Sequence, residues 1–299
     1  MKKKTRFSQL PYHLMLLPGV VFVLLFNTST WLGIALAFQD FIPSRGWFGS
    51  PWVGFENFEL FFSLPDSFAI LRNTVVIAAG KITAGTLVSI LFALLLNELK
   101  GRRLKKCIQT AVYLPHFISW VIFATIMRSM LGTDGLINQI LRLSGAQESV
   151  MFLGTPSLFP IVMIATETLK EFGFGAIVYL SAITAIDPAL YEAAAIDGAG
   201  RWKQAIHVTL PGLRTIIVLM ATLSLGSVLD AGFDQIFNMY NALVYSTGDI
   251  IDTYVYRVGL VSFNYGLGSA VGLFKSVIGI TLMAIAYWLA SKFADYRIF

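Results

Sequence analysis

Six blocks of this chain are apolar over the roughly 20 residues that a helix needs to cross a hydrocarbon core. They fall at residues 14–38, 68–96, 110–131, 158–183, 215–237 and 269–291, with short polar connections between them. The pattern predicts an all-α integral membrane protein with six transmembrane helices. The first block follows a basic start, as a signal peptide would, but it is too long and lacks a small-residue cleavage site, so a retained helix is expected.

Composition agrees: 56% of the residues are hydrophobic, against roughly 45–50% apolar usage in soluble domains. With 299 residues, spans and loops account for nearly the whole chain. The expected organisation is residues 1–67 (N-terminus, first span and outer loop), a core over 68–291, and a tail over 292–299. Positive charge sorts by connection. Lys2, Lys3, Lys4 and Arg6 precede the first span; Lys100, Arg102, Arg103, Lys105 and Lys106 crowd the second connection; Arg201, Lys203 and Arg214 lie in the fourth; Lys292 and Arg297 close the chain. The other connections hold only Arg45, Arg128, Arg142 and Arg257. The positive-inside rule then places both termini and the two basic connections in the cytoplasm. Topology accounts for the net charge of +5, and no nucleic-acid partner is expected.

Outside the membrane, the first loop mixes Pro43, Gly46, Gly49, Pro51 and Gly54 with Trp47, Phe48, Trp52, Phe55 and Phe58, a composition for turns packed at the headgroup level. Residues 135–143 read either as an interfacial amphipathic helix or as a plain connector.

The fourth connection is a polar island. Asp187 caps a helix that starts at Pro188, because a carboxylate accepts free backbone N–H groups and proline lacks one. That helix runs to about Asp197. Gly198 and Gly200 supply left-handed or strained backbone. A second short helix runs from Arg201 to about Val208, and Pro211 is expected to stop it. Ala193, Ala194 and Ala195 leave little side chain in the way of a partner, while Glu192 and Asp197 offer charge-assisted hydrogen bonds. Taken alone, this suits a docking element and an alanine-rich surface helix equally.

The run EAAAIDGA at 192–199, closed by Leu210 and Pro211, resembles the EAA motif of binding-protein-dependent ABC importer permeases of the type I architecture. The runs SPWVGFENF at 50–58, LRNT at 71–74, YLPHF at 113–117 and DTYVYRVG at 252–259 are similar to the carbohydrate branch, in particular to permeases for oligosaccharides and for alginate or rhamnogalacturonan fragments. The resemblance implies a coupling helix seated in a cleft of a cytoplasmic ATPase, with Glu192, Ala193, Ala194, Asp197, Gly198, Ala199, Leu210 and Pro211 as the coupling residues. It also implies a second homologous permease, two ATPase subunits that carry ATP and Mg²⁺, an extracytoplasmic solute-binding protein, a carbohydrate substrate and a bacterial inner-membrane location. Gln204 departs from the family, whose members often carry an aromatic there, and is expected to tune which ATPase fits.

This chain lacks a G-x-x-x-x-G-K-[ST] phosphate loop, H-E-x-x-H and G-x-S-x-G. No catalytic residue and no bound cofactor are expected, so energy comes from a partner. One cysteine, Cys107, rules out an intramolecular disulfide, and the separated His13, His116 and His207 predict no metal site.

Charges inside the spans are the remaining candidates. Each costs about 2.5–3.5 kcal/mol if left facing lipid. Glu167, Lys170 and Glu171, with Gly173 and Gly175, lie in the fourth span; Asp230 and Asp234 are expected on one face of the fifth; Lys81 and Lys275 fall in the second and sixth. Two readings compete. In one these residues line a substrate pathway, with Tyr179, Phe172 and Phe174 available to stack on sugars. In the other they pair, Lys170 with Glu167 or Glu171 and Lys275 with Asp230. Pairing is the expectation for Lys275 and Asp230, and the pathway is the expectation for the fourth span. Cationic recognition of uronic acids does not follow, because the same cluster holds two carboxylates. An ion-gradient-driven secondary sugar transporter is the alternative function.

Overall fold

The computed structural model describes residues 10–226 and 228–293. Lys2, Lys3, Lys4, Arg6 and Arg297 therefore lie outside the described residues. Those that are described form helices, with one isolated bridge between Gln39 and Trp52 and no strand among them. The chain divides into two compact units: Met1–Leu64 with Val255–Phe274, and Pro65–Tyr254 with Lys275–Phe299.

In the first unit, α1 (Leu10–Val23) continues through a widened turn at Leu24–Thr28 and a tighter 3-10 stretch at Ser29–Phe38. None of the α1 residues is buried. Water would not tolerate so continuous an apolar surface, so these side chains face a bilayer or another protein. The Pro/Gly/aromatic loop that follows is folded. Asn57 Nδ2 donates to the carbonyls of Ala37 (3.0 Å) and Gln39 (3.1 Å), and Phe38 packs against Trp52, Phe55 and Phe58.

The second unit contains α2 (Ser67–Glu98), α3 (Arg102–Tyr113), α4 (Trp120–Leu131), α5 (Leu136–Leu143), α6 (Phe159–Thr184), α7 (Pro188–Ile196), α8 (Arg201–Gln204), α9 (Arg214–Gly226) and α10 (Phe233–Met239). A last helix, α11 (Tyr265–Phe293), starts in the first unit and ends in the second. Helices α2 and α6 pack along each other. Their core joins α4 and α10 through Ile77, Phe123, Phe159, Met163, Ile236 and Met239. Since lipid is as apolar as these side chains, close packing rather than water exclusion holds such helices together. The connector at 135–143 is helical, and its buried Asn138 fixes it by donating to Gly132 O and Val150 O and accepting from Val150 N–H.

Among the described residues, four stretches are long and apolar enough to cross a membrane: Leu10–Phe38, Ser67–Glu98, Trp120–Leu143 and Tyr265–Trp288. Six crossings are reached with two bent pairs, Phe159–Thr184 with Pro188–Ile196 at 71° and Arg201–Gly212 with Arg214–Gly226 at 56°.

Three sequence expectations are corrected. The third block is not one helix: Pro115 cannot donate to the preceding turn, so α3 gives way to a 3-10 turn at Leu114–Phe117, and α4 starts afresh with Ser119 Oγ accepting from Ile122 N–H. The fifth block is broken as well. Helix α9 ends at Gly226 and α10 begins only after Gly232, whose φ is +86°, so Asp230 and Asp234 share no helical face. Finally, Pro211 does not stop the helix before the fifth span. A widened turn at Ala205–Thr209 shifts the hydrogen-bond register, and Pro211 then sits near the start of a fresh turn, Leu210–Gly212, where no N–H is needed.

Candidate functional site

The fourth connection forms as the residue chemistry predicts at its start. Asp187 Oδ1 accepts from Ala189 N–H at 2.9 Å. At the far end of α7, Gly198 N–H bonds Ala195 O (3.1 Å) and Ala199 N–H bonds Ala194 O (2.8 Å), which is the Schellman closure. It requires a left-handed residue at its turn, and Gly198 supplies φ +76°. Gly200 does not share that role. With φ −68° and ψ 168° its backbone is extended, and it serves as the N-cap of α8.

Three contacts hold this loop in place, and the sequence singled out none of them. Tyr191 Oη meets Thr209 Oγ1 at 2.9 Å, Gln204 Nε2 donates to Ala199 O at 3.0 Å, and Arg201 pairs with Glu98 at the end of α2 at 3.2 Å. Gln204 thus braces the loop from within. Leu210 packs with Ile183 and Leu213 against a small core, while Pro211 is exposed. The outward face is different. Glu192, Ala193, Asp197 and Gly198 are exposed, Ala194 and Ala199 half-buried, and the side chains of Glu192 and Asp197 have no ion pair among the described residues. A Cβ built on Gly198 meets nothing within 4 Å.

The charges inside the second unit are almost all engaged. Lys81, 8% exposed, reaches Glu167 at 3.3 Å, donates to Ala231 O at 2.6 Å and contacts Gln235 Oε1. Gln235 in turn donates to Met163 O (2.9 Å) and Thr166 Oγ1 (2.7 Å). An ammonium therefore satisfies a backbone carbonyl freed by the break between α9 and α10, as membrane backbone requires. Glu167 pairs with Lys81, not with Lys170.

Lys170 is buried at 4%. It donates to Glu171 Oε1 at 2.7 Å and to His116 O at 3.0 Å, and lies 5.1 Å from the Trp120 ring centroid, near enough for a cation–π contact. The other Glu171 oxygen meets His116 Nδ1 at 2.5 Å, and the His116 ring stacks on Phe174 at 3.9 Å. This cluster latches the Pro115 turn to α6. The pair of Lys275 and Asp230 is present at 2.5 Å, with Asp252 as a further partner at 2.7 Å. Asp234 is exposed in the first turn of α10. Asp252, which the sequence offered only within the run at 252–259, could have been found by asking what balances Lys275.

A cavity of about 190 Å³ opens beside these groups, lined among others by Lys81, Ser89, Glu171, Phe172, Gly175 and Tyr179. Glu167, Lys170, Gly173, Phe174, Asp230 and Asp234 do not line it. Gly173 has a packing role: a Cβ there would lie 2.4 Å from Val112 O of α3. At Gly175 a Cβ would lie 2.7 Å from Ser89 Oγ.

The profile of the family described as binding-protein-dependent transport system inner membrane component matches residues 85–295, a stretch that includes α6, the fourth connection and α9. Over 96% of its length the chain is 40% identical to protein LplB of Bacillus subtilis (strain 168), covering 90% of that protein. To the polygalacturonan/rhamnogalacturonan transport system permease protein YteP of the same organism it is 41% identical, covering 96% of this chain and 89% of the relative. Among solved structures, one chain of a bacterial ABC transporter involved in the import of the acidic polysaccharide alginate superposes with a TM-score of 0.87 at 34% identity, covering 95% and 96% of the two chains. A chain of the bacterial alginate ABC transporter in complex with an alginate pentasaccharide-bound periplasmic protein gives 0.88 at 33%, covering 97% of each. With a profile match across most of its length and relatives at about 40% identity over nearly all of it, the chain belongs to the family of binding-protein-dependent transport system inner membrane components.

Proposed function

We propose that this chain is the permease subunit of an ATP-driven, binding-protein-dependent importer of oligosaccharides or polysaccharide fragments. The observation that carries the reading is the loop 187–211: its fold is satisfied internally, while the outward face, with Glu192, Ala193, Asp197 and Gly198, is exposed and its carboxylates have no ion pair among the described residues. A fixed, small-residue surface with two carboxylates suits insertion into a cleft of a cytoplasmic ATPase, which carries the ATP and Mg²⁺. The names of the relatives, a polygalacturonan/rhamnogalacturonan permease and an alginate importer, support a polysaccharide fragment as cargo. A second permease, two ATPase subunits and an extracytoplasmic solute-binding protein complete the assembly, in a bacterial inner membrane with both termini cytoplasmic.

In this reading, substrate passes the cavity beside α2 and α6. Glu171, Ser89, Tyr179 and Phe172 line it, while Glu167, Lys170 and Gly173 hold the surrounding helices through their own contacts. Gentle affinity purification of the tagged chain from its native membrane, with co-purifying proteins identified, tests the assembly. Recovery of a second permease and a phosphate-loop ATPase is the expected result. Uptake that dies when the proton gradient is collapsed but survives ATP depletion overturns it in favour of ion-driven transport.

A further inference from the structure

Helix α3 opens with a basic segment that no acidic side chain pairs with among the described residues. Lys100, Arg102, Arg103, Lys105 and Lys106 fall within seven residues, no residue of α3 is buried, and none of the five side chains makes an ion pair among the described residues. Arg201 makes the contrast: its charge is met by Glu98. That pair helps line a groove of about 120 Å³, together with Leu91, Leu94, Leu95, Trp202 and Ala205 and the polar Asn97 and Thr209. Leu91, Leu95 and Trp202 are each more than half exposed. Glu98 is one of the residues that line the groove, and Lys100 follows it by two residues, so their two α-carbons lie within about 7 Å of each other.

We propose that an anionic phospholipid occupies this place, with an acyl chain in the groove between α2 and α8 and its phosphate among Lys100 and the α3 cations. Two independent features select that occupant. A soluble anion would make no use of the apolar wall, and a zwitterionic lipid would leave the clustered positive charge unmet. Polybasic segments next to a membrane span attract anionic headgroups by about fivefold per cation. The groove is walled on one side by α8, which is part of the loop proposed to meet the ATPase. Its occupant therefore touches both the end of a span and the docking loop, and anionic lipid stiffens that junction.

Trp202 reports on the groove directly. The full chain, purified with its native partners, is placed in mixed micelles containing phosphatidylglycerol or phosphatidylcholine with brominated acyl chains, and the Trp202 signal is isolated by subtracting Trp202→Phe. Phosphatidylglycerol is expected to quench at a mole fraction at least about tenfold lower than phosphatidylcholine, at roughly fivefold per cation. Lys105→Gln with Lys106→Gln removes two of the five cations and should lower that preference by up to about 25-fold. Because fewer basic residues can disturb insertion, the unmodified protein in about 0.5 M salt gives the same reading without mutation, as screening shortens the reach of the cations. Equal quenching by the two lipids, a preference indifferent to both salt and the glutamines, or no quenching by either because protein covers the groove, each overturns the proposal. The readout needs no transport, so it fails or succeeds separately from the importer assignment.

Discussion

The loop 187–211 and the charged interior of the second unit use the same residue types in opposite ways. In the loop, backbone groups are satisfied by its own caps and braces, and the charged side chains Glu192 and Asp197 are left outward without a partner among the described residues. Inside, the helix stops at Gly226 and restarts only after Gly232, and the charged side chains Lys81, Glu167, Lys170, Glu171 and Lys275 are spent on ion pairs and on freed carbonyls. A charge in lipid must find its partner within the chain, whereas one in water can wait for another protein. The contrast separates residues that hold the fold from residues that await a contact.

The sharpest way to break it is Lys81→Ala, which takes the partner from Glu167, Ala231 O and Gln235 Oε1 in one step. A loss of about 3–5 kcal/mol is expected, the usual cost of removing one member of a buried pair, read as a collapse of the melting temperature in detergent. Wild-type melting in that variant contradicts the structural role of the interior charges. Gly173→Ala comes next, at about 1–3 kcal/mol, because the added methyl meets the backbone of α3; chemical denaturation in micelles measures it.

Gly198→Trp adds a far larger side chain but into open space. Only the left-handed backbone opposes it, at about 1–2 kcal/mol. Uptake is expected to fall to background while the protein still assembles in the membrane, and normal sugar accumulation by that variant removes the loop's coupling role. The smallest effect is expected for Asp230→Asn, within about 1 kcal/mol. Asp230 is largely exposed, and Asp252 keeps Lys275 neutralised. Should it destabilise as much as Lys81→Ala, the distinction between exposed and buried partners fails.

What the sequence alone determined is what depends on nearest neighbours along the chain. Apolar runs of sufficient length specify where the chain can cross a membrane, though not that each crossing is one unbroken helix, Asp187 with Pro188 specifies a helix start, and the Schellman turn at Gly198 is legible because only glycine takes that backbone without strain. The pair of Lys275 and Asp230 was also foreseeable, since two opposite charges at similar depth in lipid must meet. Only the tertiary structure decided the rest. Lys81 lies 86 residues from Glu167 and more than 150 from Gln235, so no local pattern could join them. The breaks at Pro115 and Gly226 depend on carbonyls and turns satisfied by other helices: His116 by α6, Ala231 by α2. A hydrophobicity pattern records how oily a segment is, not whether another helix offers the hydrogen bond that lets its backbone open.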